Sequence, residues 1–187
     1  MKKINLFFGA LATLFFISCE GPQGPPGLDG FDGRDGIDGE DGINILGKVV
    51  DIQGTFSASN NYSIFYEFPQ NIEVFETDVV LVYLLWGQTE DADGIPVDIW
   101  RLMPQTRIID QGLLQYNYEH TFFDVDIFLE SDFDLSTLPP GDTDDQVFRI
   151  AILPAESTTG KLDKSNINSV MSHLGISEKD IQKIKLN

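Results

Sequence analysis

The chain has one cysteine and two histidines among its 187 residues, and only 12 basic side chains against 30 acidic ones. A single thiol, Cys19, excludes an intramolecular disulfide and a Cys-rich zinc site. His120 and His173 stand in no metal-ligand spacing with each other or with Cys19. The net charge of −18 sets the chain against nucleic acid and anionic lipid surfaces and leaves cationic partners or divalent ions. No Gly-x-Ser-x-Gly elbow, phosphate-binding loop or dinucleotide fingerprint followed by a helix occurs. With no nucleophile, base and orienting group to name together, the expectation is a protein that is not an enzyme.

What is present falls into three parts: 1–18, 19–44 and 45–187. Lys2 and Lys3 precede an apolar run at 4–17 that is short for a membrane span and suited to a cleaved signal peptide. The run closes on Phe16, Ile17, Ser18 and Cys19, a sequence similar to the lipobox of bacterial lipoproteins. That resemblance implies that Cys19 carries a diacylglyceryl thioether and an amide-linked chain. One acyl chain binds a membrane marginally, whereas several anchor a protein stably.

Glycine then recurs at every third position: Gly21, Gly24, Gly27, Gly30, Gly33, Gly36, Gly39 and Gly42. This period is what the crowded axis of a collagen triple helix requires, and Pro22, Pro25 and Pro26 pre-set a polyproline II backbone. Against a triple helix stand the absence of proline after Pro26 and carboxylates in the third position of five triplets, Asp29, Asp32, Asp35, Asp38 and Asp41. The tract is therefore open to two forms, a triple-helical stalk of a homotrimer or a charge-extended single-chain linker. A stalk over 21–44 would span about 70 Å, and a flexible coil about 27 Å.

Residues 45–187 alternate short β-branched and aromatic runs with turn-forming clusters. The expected fold is mainly β: an antiparallel β-sandwich of about seven strands with short C-terminal helices, preceded by the collagen-like or extended tract. Leu114, Tyr116, Tyr118, His120 and Phe122 alternate with polar neighbours, so His120 is expected on a buried face. Val125, Ile127 and Leu129 give a second inward set. The runs at 79–86 and 147–153 are apolar throughout, which predicts central strands covered on both faces and a buried Trp86. Turns are expected at Asn60 with Asn61 and at Gly112. Segments 165–174 and 177–186 read as helices, the second opened by Ser177 with Asp180 three residues on. The tail from 161 holds 5 basic and 3 acidic residues against 4 and 20 over 45–160, so it suits docking onto the acidic sandwich.

Glu90, Asp91, Ala92, Asp93 and Gly94 resemble a calcium loop with its glycine misplaced for an EF-hand. Asp91 and Asp93 with Asp98 are the remaining metal candidates, and Ca2+ the ion they would take.

The run from Ser18 through Cys19, Glu20, Gly21, Pro22, Gln23, Gly24, Pro25 and Pro26 to Gly27, followed by a domain of this size, resembles the collagen-like lipoproteins of Gram-negative bacteria. Asp78 to Tyr83, Trp100 to Leu102 and Phe148 to Ile150 are similar to segments typical of that group. The resemblance implies an exported protein, anchored in the outer membrane or at the cell surface, and carries no activity. The expected role is structural, or interaction and adhesion, with a protein or glycan ligand. The alternative is a calcium- or carbohydrate-binding module displayed at the surface.

Overall fold

A computed structural model describes residues 47–155 and 161–186, all within one compact unit spanning Ile43–Asn187. Cys19 and the eight repeat glycines lie outside the described residues. Among the described residues no helix is long and apolar enough to cross a membrane.

The domain is a two-sheet β-sandwich, as its alternating pattern predicts, with nine strands among the described residues. They are β1 (Lys48–Gly54), β2 (Ser63–Glu67), β3 (Val79–Glu90), β4 (Pro96–Leu102), β5 (Gln105–Ile109), β6 (Gly112–His120), β7 (Asp124–Ser131), β8 (Gln146–Leu153) and β9 (Gln182–Lys185). A short helix α1 (Pro140–Thr143) precedes β8, and α2 (Ile167–Leu174) follows it. One sheet has the order β4-β3-β8-β1-β9 and the other β2-β7-β6-β5. The chain passes from the first to the second between β4 and β5, through a cis bond at Met103 and Pro104.

The core lies between the sheets. Val50, Ile52, Val82, Phe148 and Ile150 of the five-stranded sheet meet Ile64, Leu114, Tyr116, Val125 and Ile127 of the other. Phe56 packs edge-on to both Tyr116 and Phe148, at 6.1 and 6.0 Å between ring centroids. The inward set of β7 is buried as expected.

The second apolar face of β3 and β8 is covered by α2. Ile167, Val170 and Met171 bury against Val49, Leu81, Tyr83, Ala151 and Leu153, each worth about 1.5–3 kcal/mol. Asn166 caps the helix, its side-chain oxygen accepting from the amides of Asn168 and Ser169, and Gly175 ends it at φ +66°. The Tyr83 hydroxyl donates to the Lys164 carbonyl at 2.6 Å, and burial first of all raises its pKa.

Three expectations are corrected. Residues 177–186 do not form a helix: Ser177 and Asp180 close a capping box over a single 3-10 turn, Glu178–Asp180, and the chain then continues as β9. A ten-residue helix is marginal alone, whereas β9 satisfies the free edge of β1, pairing in parallel from Val50 with Gln182 to Gln53 with Lys185. His120 is exposed, not buried, at the last position of β6. Its ring stacks on Tyr118, whose hydroxyl donates to the Val80 carbonyl. Trp86 is half-buried at the rim rather than enclosed. Asn61 takes φ +54° as a turn residue, though not in the tight hairpin expected there, since β1 and β2 belong to different sheets; the turn at Gly112 holds, where φ is +144° and no room is left for a Cβ beside Asp132.

Candidate functional site

At one end of the sandwich, β3 leaves the core and a cleft of about 520 Å³ opens between the sheets. A β-bulge between Leu85 and Gly87 breaks the β3–β4 register, and such bulges re-aim the side chains beside them. Trp86 lies there, and Gly87 has open space where a Cβ would stand.

The indole carries two guanidiniums. Arg101 lies 3.7 Å from the ring centroid and Arg107 5.5 Å, both within cation–π range. Residues 45–160 hold four basic side chains, and two of them converge on this ring. Arg107 is also ion-paired to the buried carboxylate of Asp142. Arg101 has no carboxylate partner among the described residues. Tyr116 forms the floor, its hydroxyl donating to the Asp142 carbonyl at 2.8 Å. Burial and the Asp142 charge push that phenol up to about 12, against a smaller opposing effect of Arg107.

The cleft's remaining polar groups are amides and a carboxylate. Gln146 donates to the carbonyls of Gly141 and Asp144, Gln88 to Asp98 at 2.8 Å, and Asp145 pairs with Lys185 of β9 at 2.9 Å. The arrangement offers an aromatic face, a guanidinium and hydrogen-bonding amides, a chemistry of recognition.

The candidate calcium residues form no group that could hold a metal. One Asp91 oxygen accepts from the amides of Asp93 and Ile95, at 2.9 and 2.8 Å, closing the β3–β4 turn. Asp98 sits on β4 against Gln88. Among the described residues no three His, Cys, Asp or Glu side chains stand where they could hold a metal. At the other end, His120 lines a hollow of about 200 Å³ with Glu76 and Asp78. The Asp78 carboxylate is engaged there by the amides of Phe75 and Ala155.

The Trp86 cleft escapes a reading of the sequence. Trp86 reads as the end of an apolar strand, and Arg101 and Arg107 lie in different strands of different sheets. The one available signal was the scarcity of basic residues, which makes each of them worth placing. No protein-family model, curated protein or solved structure matches this chain.

Proposed function

We propose that the protein is a lipid-anchored surface lipoprotein whose β-sandwich is an interaction or adhesion head. Support comes from the sequence layout, with Cys19 at the end of a signal-like run and the glycine tract between it and the sandwich. The tract sets the distance from lipid to head, as a single-chain spacer or as the triple-helical stalk of a homotrimer. The observation that carries the reading of the head as a binding module is the convergence of Arg101 and Arg107 on Trp86, beside an open cleft that Trp86 and Arg107 line. Two scarce cations stacked on one aromatic ring suit a planar or anionic group on a partner.

The same cleft favours a second reading, a carbohydrate-binding module. Sugars pack their apolar faces on aromatic rings, exchange hydrogen bonds with amides and donate them to carboxylates, and Trp86, Gln88 and Gln146 line one opening. A sugar bearing a carboxylate would meet the Arg107 guanidinium in the cleft wall, with Arg101 on the same indole.

The anchor is tested by fractionation. Cys19→Ser is expected to leave the signal uncleaved or to release the protein from the membrane fraction, and unchanged processing and fractionation would defeat the lipoprotein reading. For the cleft, a glycan array probed with the full chain, with Arg101→Ala and Trp86→Ala as controls, is expected to show binding to acidic glycans that both variants lose. Glycan binding that survives both changes places the site elsewhere, and no glycan binding leaves a protein partner as the reading for the head.

A further inference from the structure

Three of the four exposed phenylalanines among the described residues stand in two loops at the end of the sandwich away from the Trp86 cleft. Phe75 is 45 % exposed, Phe122 38 % and Phe123 62 %. Phe75 and Phe122 line one hollow with Val74 and Val80, and with Glu76, Asp78 and His120, and the ring centroids of Phe122 and Phe123 lie 3.9 Å apart. Three exposed phenyl rings grouped at one end of a strongly charged protein mark a contact surface.

The strand register fixes which end this is. Lys48, the first residue of β1, pairs with Ile152, and Ile152 pairs with Val80, which lines the same hollow as Phe75 and Phe122. The phenyl tip is thus on the end where the chain enters the sandwich from residues 20–46.

We propose that this tip inserts into the interface of the bilayer that holds the lipid on Cys19, so that the head lies on the membrane with its Trp86 cleft pointing away. The proposal rests on the reading that Cys19 is acylated. If the 27 residues from 20 to 46 behave as a coil, their root-mean-square span is roughly 28 Å, which would keep the tip near the bilayer at an effective concentration on the order of millimolar. It requires the spacer form of the tract, since a rigid stalk of about 70 Å would hold the tip out of reach.

The tip is built to enter a less polar medium. The Phe123 carbonyl accepts from the Phe68 amide at 2.7 Å, the Phe123 amide donates to the Thr121 hydroxyl at 3.0 Å, and that hydroxyl donates to Asp124. The Phe75 amide donates to Asp78. Backbone groups already satisfied cost little to desolvate, and rings held by a tight turn lose little freedom on insertion. Glu73 and Glu76 are exposed in the loop that carries Phe75, and Glu119 near the end of β6, which suits a zwitterionic surface and opposes an anionic one.

The test uses the acylated full chain carrying Phe123→Cys, the only free thiol when Cys19 is modified, labelled with a polarity-sensitive fluorophore. It is reconstituted into phosphatidylcholine vesicles containing nitroxide lipid, with Ala92→Cys in the β3–β4 turn as the reference. The label at 123 is expected to be quenched several-fold more than that at 92. Adding Phe75→Ser and Phe122→Ser should bring it to the reference level without changing flotation with the vesicles. Equal quenching at 123 and 92 in a chain that floats overturns the tip proposal and leaves the anchor standing. Two labelled thiols in a chain that does not float overturn the anchor and the tip together. A shielded label at 123 that nitroxide lipid does not quench means a second copy covers the tip, which also overturns the proposal.

Discussion

The two sheets of the sandwich solve the problem of their outer faces differently. The five-stranded sheet is covered on both sides, by the facing sheet within and by α2 and the C-terminal tail without. The four-stranded sheet is covered on one side only. Its outer face sets Glu67 opposite Asp124 and Glu119 opposite Asp126, and none of the four ion pairs among the described residues falls there. The covered face has the opposite character. Arg149, 1 % exposed, points into it from β8, its Nε and Nη2 donating to Asp51 at 2.7 and 2.9 Å and its Nη2 to Glu178 at 2.8 Å. Trp100 lies over the guanidinium, 4.3 Å from its carbon to the ring centroid. Burial works against this charge, and the two carboxylates outweigh it, so the pKa is raised and Arg149 stays protonated. The comparison shows that the domain concentrates its charge pairing where the tail docks, and leaves like charges to water where nothing does.

The largest effect expected is at Arg149. Arg149→Met leaves Asp51, 5 % exposed, as an unpaired buried carboxylate and should cost about 3–5 kcal/mol in urea unfolding. Combining it with Asp51→Leu should recover most of that loss. Glu178→Gln should cost under about 1 kcal/mol, because that side chain is 62 % exposed. A double variant no more stable than Arg149→Met alone would break the contrast between the two faces.

Alkaline pH probes the core that the sheets share. Tyr116 holds its proton up to about 12 in the fold and to about 10 in the unfolded chain. A phenol raised in this way adds stability that is full below pH 10 and is lost as pH rises from 10 to 12, because the unfolded state has then released the proton and the native state has not. The loss is on the order of 2–3 kcal/mol. Tyr116→Phe should make that limb of the stability profile shallower by this share, Tyr83 and the other raised phenols keeping the rest, and an unchanged slope would place the titration elsewhere.

The smallest effect expected is on the open face. Glu119→Gln relieves the repulsion with Asp126 and should stabilise the domain by roughly 0.2–1 kcal/mol at low salt, the gain shrinking as ionic strength rises. A loss of stability would show that these carboxylates are not in net repulsion.

The contrast between the sheets is legible in the residues. Strands β3 and β8 are apolar on both faces, and β7 alternates, because burial acts on each side chain through the period of the strand. Length and cap signals do not carry as far. The Ser177 and Asp180 pair that reads as a helix start is present as a capping box, yet the unpaired edge of β1 claims the residues after it, a tertiary demand that no local pattern encodes. His120 keeps the alternation of β6 and loses its burial at the last position of the strand, since alternation gives the face and not the depth of burial along it. The Trp86 cleft is invisible for a related reason: its indole and guanidiniums come from β3, β4 and β5, brought together by a crossing between sheets and a bulge.

Display of this sandwich at a membrane through a lipid on Cys19, as proposed, is tested most directly by the intact mass and N-terminal residue of the mature protein extracted from membranes. The account expects a chain that begins at Cys19 and carries the added mass of a diacylglyceryl group and an amide-linked acyl chain, all removable with the first residue. A mature chain that begins elsewhere, or begins at Cys19 with a free thiol, would contradict it.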